Sequence, residues 1–190
     1  MKFMAQPLET HRLLLRPLVM ADAPAIQRHF PHWEIVRWLD VVVPWPYPED
    51  GARDFLRHVA LAEMAAGTAW HWSLRRKAVP EDLIGVISLR QKDSDNRGFW
   101  IGRDWQGQGF MSEANDAVTG FWFDVLGKEV LRVPKARDNA ASRRLSEKQG
   151  MRLVGRMTKL LVSGETEMDI WELTAAEWTA RQAVRISRPD

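Results

Sequence analysis

Apolar and polar positions change their spacing several times along the chain, and each change marks an element. Leu13, Leu14 and Leu15, between Arg12 and Arg16, read as a short first strand that Pro17 ends. Asp22 with Pro24 just behind it predicts a helix N-terminus, and that helix runs to about Phe30. A shorter helix is expected over 34–39. Pro44, Pro46 and Pro48 stand at alternate positions, which forbids helix and predicts an extended loop over 41–48. Phe55, Val59, Ala62 and Ala66 then keep helical spacing until Gly67. Strands are predicted over 69–76, 83–91 and 97–102, with Pro80, Glu81 and Asp82 as the turn between the first two. Ala114, Ala117, Phe121 and Val125 line one face of a helix over 109–126. A strand over 130–136, a helix over 141–149 closed by Gly150, a hairpin of 153–163 and 166–173, and a last helix from about Ala175 complete the order. The pattern describes a mixed α/β (α+β) domain, antiparallel in its first half and containing a βαβ crossover in its second.

At 190 residues the chain suits one domain over 1–190. It contains no cysteine, which excludes disulfides, thiolate metal sites and a cysteine nucleophile. The five histidines show no ligand spacing with carboxylates, so no metal is expected. A net charge of +2 is too balanced to argue for stable nucleic-acid binding. Basic clusters at 75–77, at 143, 144 and 148, and at 181, 185 and 188 read as solvated faces. No apolar run approaches the roughly 20 residues of a membrane span, and Met1 to Thr10 lacks the apolar core of a signal peptide. A cytoplasmic location, with no membrane partner, is the expectation. Homodimerisation stays open.

The segment Trp105-Gln106-Gly107-Gln108-Gly109-Phe110-Met111-Ser112-Glu113-Ala114 carries the sharpest chemical signal. Two glycines one residue apart sit between a strand and a helix. Such a turn exposes successive backbone N–H groups, and the helix dipole adds positive potential, so a pyrophosphate can be held without lysine. A dinucleotide fingerprint would have a third glycine where Ser112 stands. A Walker A loop would need a lysine and a hydroxyl residue after its last glycine. A tight turn without a ligand is the remaining reading.

The surrounding residues resemble the GNAT superfamily of N-acetyltransferases, in the RimJ/RimL-like branch of ribosomal-protein N-terminal acetyltransferases. Gln106-Gly107-Gln108-Gly109-Phe110-Met111 is similar to the superfamily's pyrophosphate motif, with Met111 where a small residue is usual. Phe99-Trp100-Ile101-Gly102 resembles its fourth strand. The stretch from Asp138, Asn139 and Ser142 to Glu147-Lys148-Gln149-Gly150-Met151 resembles the helix that follows the fifth. Residues 8–18 resemble the branch's first strand and 169–174 its last. The resemblance implies a mostly antiparallel central sheet of about seven strands with flanking helices, splayed between strands four and five. It also implies acetyl-coenzyme A as co-substrate. Trp100, Ile101, Gln106 to Ser112, Asn139, Ser142 and Lys148 would bind it, with Asn139 on the pantetheine arm, Ser142 near the thioester sulfur and Lys148 at the ribose phosphate.

The implied reaction is direct attack of a neutral amine on the thioester, with a backbone N–H of the strand over 97–102 stabilising the oxyanion. Ser142 is the candidate acid. The general base is not identified: Asn96-Arg97 and Leu161 stand where relatives carry carboxylates, and His71 is the candidate that remains. An α-amine of pKa about 8 is roughly one-tenth neutral at pH 7, against about one part in 2,500 for a lysine, a difference of about 3 kcal/mol. A weak base therefore suits a protein or peptide α-amine. A small-molecule amine of the aminoglycoside or polyamine kind, or a coenzyme A-binding interaction domain of weak catalysis, are the alternatives. The acceptor pocket is expected between the loop 33–48 and the hairpin 160–168, walled by Trp45 and Tyr47.

Overall fold

The computed structural model of the protein describes residues 4–186, so Arg188 of the third basic cluster lies outside the described residues. Strands β1 (Leu8–Glu9), β2 (Leu13–Pro17), β3 (Ala69–Arg76), β4 (Val79–Arg90) and β5 (Arg97–Ile101) pair in chain order as one antiparallel sheet. Strands β6 (Val130–Ala136), β7 (Arg152–Leu161) and β8 (Gly164–Thr174) form a second, with β8 in the middle. The expected seven strands become eight through the two-residue β1.

Alternation along β3 sorts the two cores. Trp70, Trp72 and Leu74 face α5 (Phe110–Gly120), its π-helical extension Phe121–Val125 and α7 (Ala175–Ile186). The Phe121 ring meets Trp70 and Trp72 edge-on, at 6.1 and 5.2 Å between centroids. The opposite face of the sheet packs under α1 (Ala23–His29), α2 (Trp33–Val36) and the rod formed by α3 (Gly51–Phe55), a π turn and α4 (Leu61–Ala66). Helix α6 (Ala140–Lys148) follows β6 and packs beside α5 through Gln149, whose Nε2 donates to Asp116 Oδ1 and Thr119 Oγ1.

Two local expectations fail for identifiable reasons. Pro80 to Asp82 are not a turn: β4 begins at Val79, and the Arg75 guanidinium donates to the carbonyls of Pro80 and Glu81 at 3.1 and 2.9 Å. Register shifts on either side of Arg75 absorb the proline. Asp22 does not cap α1 through its side chain. It is 3% exposed; its Oδ2 accepts from Val19 N–H and its Oδ1 pairs with Arg75 at 2.5 Å. A buried carboxylate takes a full positive charge before a partial one.

Among the described residues, backbone hydrogen bonds join the two sheets at one end. Asn96 N–H donates to Arg132 O at 2.8 Å, and Arg132 N–H donates to Asn96 Oδ1 at 2.8 Å. The Asn96 NH2 donates to Lys92 O at 2.5 Å and Arg90 O at 3.3 Å, so the whole amide is spent on this junction. Beyond it β5 and β6 belong to separate sheets. Replacing Asn96, itself 3% exposed, strands the part-buried Arg132 N–H and costs about 1–3 kcal/mol. Asn96→Ala should lower the thermal midpoint by roughly 3–10 °C in a melting scan.

Candidate functional site

The turn after β5 has the backbone its glycines suggested. Gly107 and Gly109 lie at φ +73° and +82°, a region costly for any residue with a Cβ, and the space beside Gly107 is empty to 4 Å. Gln106 and Gln108 fold their side-chain amides back onto the carbonyls of Ile101 and Asp104, at 3.2 and 2.7 Å. Their side chains brace the turn and leave its backbone to meet a ligand. Phe110 and Met111 point into the core at 8% and 6% exposure, so only the main chain of Met111 fronts the turn. The first intrahelical bond runs from Glu113 N–H to Gly109 O, which leaves the N–H groups of Phe110, Met111 and Ser112 outside the helix ladder.

Arg12 stands against this turn, a placement that the sequence did not reveal. Its Nη1 donates to Gln108 O at 3.1 Å, its guanidinium carbon lies 4.4 Å from the Phe110 ring centre, and its Nη2 comes within 3.3 Å of where a Cβ on Gly109 would be. Glu113 holds it there, accepting from Arg12 Nε at 2.8 Å and from Arg12 N–H at 2.6 Å, with Thr10 Oγ1 on the same carboxylate. Burial would raise the Glu113 carboxyl, but the hydrogen bonds from Thr10 and Arg12 and the Arg12 charge bring it below its ordinary value. Glu113 therefore ties the β1–β2 turn to the start of α5.

From the turn, the free edge of β5 leads down toward Asn96. Gly102 N–H donates to Ile84 O and Arg90 N–H donates to Asn96 O, so the even-numbered residues of this strand bond to β4. By alternation the N–H groups of Phe99 and Ile101 face the cleft between the sheets. Asn139 caps α6: its Oδ1 accepts from Ser142 N–H at 3.1 Å, and its NH2 is the half of the amide that the cap does not use. Ser142, in the first turn of α6, is buried at 9% exposure. Residues 12–152 match the family model for the acetyltransferase (GNAT) domain. The chain belongs to the GNAT acetyltransferase family.

The uncharacterised N-acetyltransferase YoaA of Bacillus subtilis is 29% identical over 167 residues, covering 85% of this chain and 92% of that protein. The RimL ribosomal L7/L12 alpha-N-protein acetyltransferase, solved in complex with coenzyme A, superposes with a TM-score of 0.76 at 18% identity, over 90% of this chain and 99% of that one. The ribosomal-protein-S5-alanine acetyltransferase of Vibrio fischeri gives 0.76 at 14% identity, over 91% and 98%. These structures share the mixed α/β fold. The parts suit coenzyme A: two glycines with positive φ, a helix N-terminus and an unpaired strand edge.

Other GNAT site expectations are redrawn by the structure. His71 is 0% exposed on the α1–α4 side of β3. Its Nδ1 lies 2.7 Å from Ser88 Oγ and its Nε2 2.9 Å from Glu63 Oε2, so both ring nitrogens are occupied. Burial holds the imidazole below its ordinary pKa, against the pull of Glu63. A neutral ring that donates from Nε2 and accepts at Nδ1 satisfies both partners, which makes His71 a tether between β3, β4 and α4. Lys148 is exposed at the C-terminal end of α6, where its carbonyl accepts from Arg181. Its neighbour Gln149 packs on residues 116–119, roughly 10–15 Å along α5 from the pyrophosphate turn. The structure does not bring Lys148 to that turn.

Trp33, Val41, Val43, Pro44, Trp45 and Val162 line a cleft of about 410 Å³. The expected walls do meet, since Val162 N–H donates to Leu39 O and Asp40 bridges Leu161. Tyr47 is not among the lining residues. Its ring packs on Phe30 at 4.9 Å and fills the space where Gly51 lacks a Cβ, and burial pushes its hydroxyl up to about 12.

Two buried cations were also missed. Arg97 donates to Thr119 Oγ1 and Gln149 Oε1, at 2.7 and 2.8 Å, between β5, α5 and α6. Lys135 is 7% exposed on β6. The register Leu131, Val133, Lys135 points inward, so the period-two pattern could have flagged it.

Two predictions follow the geometry. Gly109→Ala, which forces a Cβ at φ +82° beside Arg12, should cost about 1–2 kcal/mol in denaturant unfolding and weaken coenzyme A binding at least tenfold by calorimetry. His71→Ala should lower stability by about 1–3 kcal/mol while leaving the pH profile of turnover in place.

Proposed function

We propose that this GNAT protein transfers acetyl from acetyl-coenzyme A to the α-amine of a protein or peptide N-terminus. The observation that carries this reading is the unpaired edge of β5, which runs from the Gly107–Gly109 turn down into the cleft between the sheets. An extended pantetheine can add to that edge as a further strand would. The N–H groups of Phe110 to Ser112 and the Arg12 guanidinium would hold the pyrophosphate, and the Asn139 NH2 an amide of the arm. Acetyl-coenzyme A supplies an activated acyl group. The Phe99 or Ile101 N–H would stabilise the oxyanion, and Ser142 would lie near the leaving sulfur. The Trp33–Trp45 cleft, whose two rings are 5.6 Å apart, would take the acceptor's first side chains.

The RimL and S5-alanine enzymes, whose names place their acceptors on ribosomal proteins, support the choice of an α-amine. Calorimetric titration with acetyl-coenzyme A, with NAD and ATP as controls, tests the first half. Free-amine peptides, N-terminally blocked lysine peptides and a polyamine and aminoglycoside mixture test the second. Selective micromolar binding with turnover on the free-amine peptides is expected. Preference for the lysine peptides or the small amines would overturn the acceptor, and binding without turnover would leave a coenzyme A-binding interaction domain. Trp45→Ala should raise the acceptor KM at least fivefold with acetyl-coenzyme A affinity unchanged.

A further inference from the structure

Lys135 is buried on β6, with its side chain turned toward β5. Asn96 and Arg132 mark the closed end, and Phe99 and Lys135 each lie three residues beyond them, about 10 Å up the cleft. Across the gap the ammonium nitrogen sits 4.3 Å from the Phe99 ring centre. Among the described residues no carboxylate comes within ion-pair range of it. The groups facing it are Arg97 from β5, Asp95 just before β5, and Asp169 directly across the β6–β8 ladder. Asp95 is paired with Lys159 at 3.4 Å, and Asp169 lies 3.4 and 3.8 Å from Arg156 and Arg137. From α6, Arg143 is turned away onto Arg137 O. A pantetheine arm that followed the β5 edge from the turn would pass Ile101, then Phe99, and would end beside this lysine.

We propose that Lys135 carries the proton of the acyl transfer, taking it from the attacking amine nitrogen and delivering it to the departing sulfur. The inference rests on acetyl-coenzyme A lying along β5, as above. The neutral ε-amine accepts a proton from that nitrogen as the new C–N bond forms. The resulting ammonium gives the proton to sulfur as the C–S bond breaks. Amide and thiol are the products, and Lys135 ends neutral as it began. Burial, reinforced by the Arg97 charge and opposed by Asp95, brings its pKa down to about 7, between the needs of the two transfers. Phe99 holds the side chain over the strand edge, and no carboxylate fixes its charge.

Coenzyme A itself is the probe, read by the ultraviolet absorbance of its thiolate in complex with the wild-type protein, Lys135→Met and Lys135→Arg. An ammonium beside the sulfur favours the thiolate. Bound coenzyme A should therefore titrate at least tenfold more readily to thiolate in the wild type and in Lys135→Arg than in Lys135→Met. Turnover of a free-amine peptide should fall about 10²- to 10⁴-fold in both variants, because arginine keeps the charge and the aromatic contact but cannot take up a proton. Lys135→Met should melt at or above the wild-type midpoint, since it removes a buried unpaired amine. A thiol that titrates alike in wild type and Lys135→Met overturns the proposal. So does wild-type turnover by Lys135→Arg, which would reduce Lys135 to a structural cation. A wild-type protein that binds no coenzyme A would instead overturn the coenzyme reading beneath it.

Discussion

Asn96 spends its backbone N–H, its side-chain oxygen and its side-chain NH2 on holding two sheets together at a single point. The rest of the site depends on that economy. Had β5 and β6 continued to pair, Phe99 and Ile101 would have bonded to β6 and nothing could lie between the sheets. Had they not met at all, the cleft would have no floor. An unpaired edge is ordinarily a liability, open to any passing strand. Here it opens into a cleft between two sheets, where a long, amide-bearing arm can complete the ladder that folding leaves unfinished.

At the mouth of that cleft, charge is managed without lysine. The N–H groups of the turn and of α5 supply direction, and Arg12 supplies a full positive charge. Glu113 fixes Arg12 with a bidentate grip that also takes the Arg12 backbone N–H and Thr10 Oγ1. A carboxylate in the first helical turn competes with a phosphate for the dipole. Glu113 avoids that competition because its oxygens are committed sideways to the β1–β2 turn. The first and middle thirds of the chain are thereby joined at the place where the ligand's charge must be met.

Local signals made much of this legible. The Gly-x-Gly spacing and the strand over 130–136 are short-range features, and each sits where the sequence placed it. The splay and acetyl-coenzyme A came from family resemblance and not from periodicity. What escaped depends on contacts remote in sequence. Arg12 reads as one end of a strand until Gln108 and Glu113, about a hundred residues on, give it a role. His71 seemed a candidate base because the sequence hides Ser88 and Glu63, which consume both of its nitrogens. Tyr47 beside Trp45 seemed to share its exposure, yet the gap at Gly51 draws its ring inward. Asp22 had the right residue type for a cap and a stronger partner in Arg75.

Arg97 and Lys135 show how two buried cations on facing strands diverge. Arg97 finds Thr119 and Gln149 at hydrogen-bond distance, so although burial lowers it to about 10 it stays charged at neutral pH. Among the described residues Lys135 has the Phe99 ring and no ion-pair partner, and the fixed charge of Arg97 adds to the cost of its own. Desolvation that a guanidinium survives is enough to strip an ammonium, because its unperturbed pKa is roughly two to three units lower. The permanent charge on one strand thus helps hold the other amine near its titration point, where it can accept a proton as readily as lose one. A carboxylate placed beside Lys135 would have made a better core and a worse acid–base group. Among the described residues no carboxylate stands within ion-pair range of Lys135, which is what the proposed acid–base role requires.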